Sequence, residues 1–231
     1  MKNRKNAKWF LGIILICGLG FAAPASAHLP RLERGNVEIK VEKPEISKAY
    51  YGWLEGKPAV YSIDSKKPFL LYAGLLSPRV ENGRMDYSAT IYKDGELFAQ
   101  VPADDSFWLI NYEPFGNDYY AEGPEYEQEV LAGKYEIEVF NSGNRGNYVL
   151  AIGKTENLSA GEFLRTLFVL PSVKEEFFGK PWWEAYNNLV GLFTLIILAV
   201  VSTALYFIVS FIRNKRLKSK LDEQYRKLPA R

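Results

Sequence analysis

The sequence of 231 residues predicts a mainly β protein, in which an antiparallel β-sandwich precedes short amphipathic helices and one transmembrane α-helix. Apolar and polar residues alternate through the middle of the chain, and this period of two is typical of half-buried strands. Turn-forming residues recur at short intervals between these stretches, as they do in β-sandwiches. Residues 189–212 contain no charged side chain, and an apolar run of this length can cross a membrane as a helix.

Residues 1–27 are predicted to be a secretory signal peptide. A basic run, Lys2–Lys8, precedes an apolar stretch of fifteen residues, and an A-x-A cleavage site follows at 25–27. A membrane span needs about 20 residues, so an uncleaved anchor is the less favoured alternative. A lipoprotein site at Cys17 is disfavoured because Ile16 precedes it. Cleavage would remove the single cysteine, and we therefore expect a disulfide-free protein of the bacterial envelope.

Residues 28–156 are predicted to form the β-sandwich. Tyr135, Ile137 and Val139 illustrate the pattern, since they alternate with charged side chains. The dipeptide Asp94-Gly95 predicts a type I′ hairpin, because both central residues of that turn take positive φ. The stretches with strand character are 37–42, 49–55, 58–64, 68–75, 88–93, 96–99, 107–112, 126–131, 134–139 and 148–152.

The end of this region carries a resemblance to a known family. The segment 131–139 contains Ala-Gly-Lys-Tyr, and a Gly-rich turn leads to Gly-Asn-Tyr-Val-Leu in 146–153. Together they resemble the last hairpin of bacterial pre-peptidase C-terminal-like domains, which are small jelly-roll sandwiches appended to secreted enzymes and surface proteins. The resemblance implies a jelly-roll-like domain that is not catalytic, and some members of the family bind glycans or calcium.

Residues 157–188 are predicted to form short amphipathic helices before the membrane. Ser159 and Glu162 fit a capping box at the start of the first helix, and Pro171 is expected to end it. Three placements are open: on the outer leaflet, against the open end of the sandwich, or against a partner helix.

The transmembrane helix is predicted at 189–212, with a basic cytoplasmic tail at 213–231. The positive-inside rule then places 28–188 outside the cell membrane, so that we expect a single-pass protein with the lipid bilayer as a partner. The predicted membrane-interface residues are Trp182, Trp183, Tyr186, Arg213, Lys215 and Arg216.

The distribution of charge excludes nucleic acid as a partner. The chain carries +2 overall, with four cations in 1–27 and a net +6 in 213–231, which leaves −8 for residues 28–212. One cysteine and one histidine also argue against Cys/His metal sites and nucleophile–histidine catalysis. His28 would begin the mature chain, but a copper brace needs a second histidine.

The segment 104–126 is the candidate ligand site, because it concentrates aromatic rings, amides and carboxylates. Flat rings can pack on the apolar face of a sugar while polar side chains bind its hydroxyls; the alternative is that several rings belong to the core. The candidate ligand-binding residues are Trp108, Tyr112, Phe115, Asn117, Asp118, Tyr119, Tyr120 and Glu122. We expect no cofactor, with calcium as the alternative, since its oxygen ligands could come from Asp104, Asp105, Asp118, Glu122 and Glu125.

The function predicted from these features is a non-catalytic, membrane-anchored extracytoplasmic binding module for a glycan, an envelope component or a protein. An accessory subunit of a membrane complex, acting through the transmembrane and juxtamembrane helices, is the alternative. A small carboxylate-dependent hydrolase is the third interpretation. Exposure of the rings in 104–126 would favour a ligand site, whereas buried rings and an exposed apolar stripe within 163–178 would favour a subunit.

Overall fold

The computed structural model describes residues 28–35, 38–81, 83–103, 108–157 and 159–226. The predicted signal peptide and the predicted calcium ligands Asp104 and Asp105 lie outside these ranges. The described chain is mainly β, as predicted, and ends in one long apolar helix. It divides after Val190 into two compact units, each of which is described by itself.

The first unit contains eleven described strands. They are β1 (Leu29–Glu33), β2 (Ile39–Lys40), β3 (Lys48–Glu55), β4 (Ala59–Ser65), β5 (Phe69–Pro78), β6 (Ser88–Lys93), β7 (Glu96–Val101), β8 (Leu109–Glu113), β9 (Asp118–Val130), β10 (Gly133–Phe140) and β11 (Arg145–Ile152).

These strands form two sheets that pack as a sandwich. The six-stranded sheet has the order β1-β3-β11-β5-β9-β8, and the five-stranded sheet has the order β2-β4-β10-β6-β7. Neighbouring strands run antiparallel except for β1 beside β3 and β2 beside β4, which are parallel. Tyr61, Ile137 and Leu150 are fully buried between the sheets, so the alternating pattern of the sequence does supply the core.

The hairpin between β6 and β7 has the turn that the sequence predicts. Asp94 and Gly95 have φ of +50° and +86°, as a type I′ turn requires. Lys93 pairs with Glu96 across it.

Strand β9 differs most from the prediction, because it begins at Asp118 rather than at 126. Gly123 and Pro124 are residue types that are unfavourable inside a regular strand. The structure instead accommodates them in a bulge, where Gly74 pairs with Glu125 while Leu76 pairs with Glu122. Strand β1 was not predicted, and β2 is shorter than the stretch 37–42.

One helix, α1 (Ala160–Phe178), takes the place of the two expected short helices. The Ser159 hydroxyl accepts from the Glu162 backbone N–H at 3.2 Å, which is one of the two hydrogen bonds of the predicted capping box, and the Glu162 carboxylate binds Arg31. Pro171 lies inside the helix and does not end it. Proline lacks the N–H that would bind the carbonyl four residues earlier, and the Tyr186 hydroxyl donates to that Leu167 carbonyl at 2.9 Å.

Helix α1 packs on the outer face of the six-stranded sheet. Val173, Phe177 and Phe178 of the helix form a buried cluster with sheet residues Ala49, Tyr51, Tyr120 and Val149. At the β1 edge of this sheet, the Arg31 guanidinium donates to both Glu162 carboxylate oxygens of α1 at 2.8 Å, and Arg34 pairs with Glu176. Of the three predicted placements, contact with the sandwich is therefore observed, although it involves a sheet face rather than an open end.

A 3₁₀ helix (Trp182–Tyr186) leads to α2 (Leu189–Arg226). Within the described ranges, α2 is the one helix that is long and apolar enough to cross a membrane, with a mean hydropathy of 2.6 in its most apolar window. Its length and composition are consistent with a single-pass membrane protein. The helix continues beyond the predicted limit of 212.

Candidate functional site

The described part of the candidate segment, 108–126, contains the hairpin of β8 and β9 at one edge of the six-stranded sheet. Tyr112 lies opposite Tyr119, and Asn111 lies opposite Tyr120. Since successive side chains of a strand point to opposite faces, the predicted site residues divide between the two faces of the sheet. Tyr112 and Tyr119 share the face of the core residue Ala121, whereas Tyr120 points towards α1.

Trp108 belongs to the core. It is 8% exposed and lies edge-on to Tyr87, with 6.5 Å between the ring centroids. A Cβ atom on Gly123 would lie 2.6 Å from the Trp108 ring, so the glycine makes room for the indole. For Trp108, the alternative interpretation is therefore the correct one: this ring is part of the core and not of a ligand site.

Tyr120 is also buried, in the contact between the sheet and α1. Its hydroxyl lies 2.7 Å from the Tyr51 hydroxyl, and its ring is perpendicular to Phe178 with 5.3 Å between centroids. Burial raises the pKa of Tyr120 well above its ordinary value. A ligand would reach this ring only if α1 moved away.

Asp118 lies in a buried ionic cluster beneath α1. The residue is 1% exposed; Lys174 binds one carboxylate oxygen, and the Lys180 ammonium lies 2.8 Å from the other. Lys174 also donates to the Gly116 carbonyl. A buried charge is costly unless it is paired, and here both oxygens are engaged, so the cluster joins the hairpin to α1.

The turn of the hairpin is held from two sides. The Glu113 carboxylate accepts from the backbone N–H groups of Phe115, at 2.7 Å, and Gly116. Burial raises the pKa of Glu113, while these hydrogen bonds oppose that change. Phe115 packs against the buried cluster of Leu170, Ala185 and Val190.

Glu113, Lys174 and Lys180 were not predicted from the sequence. A signal for Lys174 was present: it falls between Val173 and Phe177 on the apolar stripe of the helix, where an unpaired charge would be unfavourable. Such a lysine indicates a carboxylate partner elsewhere in the fold, although the spacing does not identify Asp118.

Three of the predicted residues, Tyr112, Asn117 and Tyr119, do come together at the surface. Tyr112 and Tyr119 are 44% and 56% exposed, and their ring centroids are 5.1 Å apart at a tilt of 48°. The Tyr112 hydroxyl donates to the Asn117 side-chain oxygen at 2.9 Å, and the Asn117 amide donates to the Asn187 carbonyl at 3.1 Å. Ile110 is 52% exposed on the same face. We call Ile110, Tyr112 and Tyr119 the open patch.

The remaining carboxylates are exposed and separate from the open patch. Glu122 accepts from the Asn111 amide at 3.0 Å on the opposite sheet face, and Glu125 accepts from the Tyr72 hydroxyl at 2.9 Å. In the part of the chain that the structure describes, no group of three or more His, Cys, Asp or Glu side chains is placed to hold a metal. The predicted calcium site also used Asp104 and Asp105, so it stays a prediction.

The predicted membrane-interface residues are exposed. Trp182 and Trp183 are 52% and 59% exposed with 5.9 Å between ring centroids, and Tyr186 is 39% exposed. The predicted cations of the far interface lie on the exposed surface of α2, after its apolar part; they are Arg213, Lys215 and Arg216.

Comparison with known proteins finds similar solved structures. No protein-family profile and no curated protein matches the sequence. The pre-peptidase C-terminal domain of collagenase from Bacillus anthracis matches at 14% identity over 55% of this chain and 95% of that domain, with a TM-score of 0.31. A family 35 carbohydrate binding module from an environmental isolate matches at 13% identity over 46% of this chain and 74% of the module, with a TM-score of 0.27. The first match is to the family that the hairpin at 131–153 resembles.

Proposed function

We propose that this chain is a non-catalytic binding module, anchored in a membrane by α2 and exposed outside the cell, which binds carbohydrate through the open patch. The observation that carries the proposal is the pair of exposed rings, Tyr112 and Tyr119, on an otherwise fixed hairpin. Exposed tyrosines of this kind are typical of binding surfaces, because the ring offers a large contact area and the hydroxyl a polar edge.

The open patch is held in place before any ligand binds. Tyr112 and Tyr119 are neighbours across the β8–β9 pairing, and Asn117 links the Tyr112 hydroxyl to the Asn187 carbonyl. Side chains that are already ordered lose less conformational entropy on binding. The tilted rings and the Asn117 amide suit a sugar, which has an apolar face bordered by hydroxyls.

The position of the nearby carboxylates favours binding over hydrolysis. A glycosidase needs two carboxyl groups on either side of the bond that it cleaves. Asp118 is covered by α1 and paired with Lys174 and Lys180, while Glu113 is held by the turn backbone. Neither group faces the open patch.

A binding assay on the full-length chain in lipid nanodiscs tests this function. Tyr112→Ala and Tyr119→Ala should each weaken binding to envelope polysaccharides by about tenfold or more, since each truncates a candidate hot-spot residue. Leu97→Ala is the matched control, because Leu97 is 61% exposed on β7 of the other sheet. Equal affinity of the tyrosine variants and the wild type would contradict the open patch as the site.

An accessory subunit of a membrane complex is the second candidate function. The most apolar part of α2 has none of its residues buried within the protein itself, so that it can contact another membrane helix. If a membrane protein co-purifies with the chain, Tyr112→Ala should leave this association intact, and replacing 189–212 with an unrelated apolar span should abolish it. That pair of results would favour the subunit over the binding module.

A further inference from the structure

We propose that one face of α1 and the tryptophan pair of the 3₁₀ helix form a second lipid-contacting surface. This interfacial surface consists of Leu164, Phe168, Trp182 and Trp183. The proposal rests on the membrane anchoring in the proposed function and extends it to residues that precede the span.

The exposure of these side chains is the first observation. Leu164 and Phe168 lie four residues apart on one face of α1 and are 55% and 79% exposed. Trp182 and Trp183 are also more than half exposed. The burial of four such exposed apolar side chains in an apolar environment is energetically favourable.

The second observation is that α1 packs against Val190, the last residue of its own compact unit. Val190 is the second residue of α2, and it is buried together with Leu170 and Ala185. Phe163 and Leu167 pack against the same cluster. Leu164 and Phe168 each follow one of these residues in the helix, so each is one position away from a side chain that packs on the cluster of Val190.

The third observation concerns how the tryptophan pair is held. The Tyr186 hydroxyl fixes the end of the 3₁₀ helix to the Leu167 carbonyl that Pro171 leaves free, and the Glu184 N–H donates to the Pro181 carbonyl at 3.0 Å. Trp183 precedes the first residue of α2 by six positions, which at about 2 Å per residue is about 12 Å of chain. The headgroup layer on each side of a bilayer is about 5–8 Å thick, so the indole rings can reach it.

Lipid is therefore the occupant that these positions favour. Tryptophan partitions into the headgroup layer, because its ring is apolar and its N–H is polar. Arg165 directly follows Leu164 in sequence, and its charge suits lipid phosphates. We infer that α1 contacts the sheet through one face and the bilayer surface through the other.

Fluorescence quenching by bromine-labelled lipids tests this inference. The full-length chain is reconstituted in phosphatidylcholine vesicles with brominated acyl chains, and Trp182→Phe/Trp183→Phe is compared with the wild type. Quenching should fall at least about twofold in the double variant, because the interfacial rings supply the quenched emission. The matched control Trp53→Phe removes a tryptophan that packs against Phe177 and should retain the quenching.

Phe168→Trp, introduced into the double variant, tests the α1 face directly. Its emission should be quenched by the brominated lipids. Unchanged quenching in the double variant, or a Phe168→Trp signal that only aqueous iodide quenches, would overturn the inference. A Phe168→Trp signal shielded from both quenchers would also overturn it, since a protein would then cover this face.

Alkaline carbonate extraction separates failure of this inference from failure of the anchor. An inserted α2 keeps the chain in the membrane pellet, and the interfacial variants should remain there as well. If the wild type is extracted into the supernatant, the proposed anchoring is wrong. If it stays in the pellet while the lipid quenching is absent, the interfacial surface alone is wrong.

Discussion

Lys174 is a fully buried cation, and its position explains how a charged residue can lie on the apolar side of a helix. Its ammonium group binds the Asp118 carboxylate and the Gly116 carbonyl, so that α1 is fixed to the turn of the hairpin. The ion pair between Lys174 and Asp118 thus fixes the β8–β9 hairpin, which contains the predicted ligand residues, against α1.

Removing the Asp118 charge should destabilise the fold strongly. We expect Asp118→Asn to lower the free energy of unfolding by about 3–5 kcal/mol, because Lys174 would keep a buried charge without its counterion. Lys180→Met should cost about 1 kcal/mol or less, since the Lys180 side chain is 37% exposed. Chemical denaturation of the full-length protein in detergent measures both, and Lys174→Met added to Asp118→Asn should recover much of the loss. An Asp118→Asn effect as small as that of Lys180→Met would contradict this account.

His28 should make stability depend on pH. Burial, with a contribution from Lys154, lowers the pKa of His28 below 6.5, and its Nδ1 lies 2.6 Å from the Ser47 hydroxyl. Below about pH 6.5 the unfolded state therefore binds more protons than the folded state, and stability falls as the pH falls.

The Tm of wild type and of His28→Asn, measured between pH 7.5 and 5.5, tests this dependence. The variant should lose less stability than the wild type over this range. Carboxyl groups with raised pKa, such as Glu33 and Glu113, contribute equally to both chains, so the difference isolates His28. Parallel curves for the two proteins would show that His28 does not contribute.

At the scale of elements, the contact between α1 and the six-stranded sheet depends on Phe177. This side chain is 2% exposed and packs edge-on against Tyr51 and Trp53, with centroid distances of 5.0 and 4.4 Å. We expect Phe177→Ala to cost about 3–5 kcal/mol, because it leaves a cavity between the helix and the sheet.

Phe168→Ala is the matched control for this prediction, since it makes the same chemical change at a 79% exposed position of the same helix. Its cost in detergent should stay within about 0.5 kcal/mol. Equal destabilisation by the two variants, measured by denaturant unfolding, would show that α1 does not depend on its sheet-facing side.

The strands could be predicted because the local alternation of apolar and polar residues determines which segments form them. Tyr135, Ile137 and Val139 are each at most 1% exposed, as their pattern predicts. The rings of the candidate site were not predictable in the same way: Tyr119 and Tyr120 are adjacent in sequence, yet only Tyr120 is covered. What covers it is Phe178, about sixty residues later, and no local pattern indicates such a contact.

For the whole molecule, the predicted topology can be tested by chemical labelling. We expect a membrane-impermeant maleimide to label Leu97→Cys on intact cells but to label Lys218→Cys only after permeabilisation, because the cations after the span favour the cytoplasm. Both substitutions lie at exposed positions. The reverse labelling pattern would show that the orientation is inverted.

The pairing of Arg31 with Glu162 joins the first described strand to a residue of α1 that lies 131 positions later in the chain. During synthesis, β1 can align with β3 early, but its arginine stays without this partner until α1 has emerged. In the exported chain that we propose, this happens only shortly before the apolar segment enters the translocation machinery. In such a chain, completion of the fold and arrest of export are therefore expected to occur nearly together.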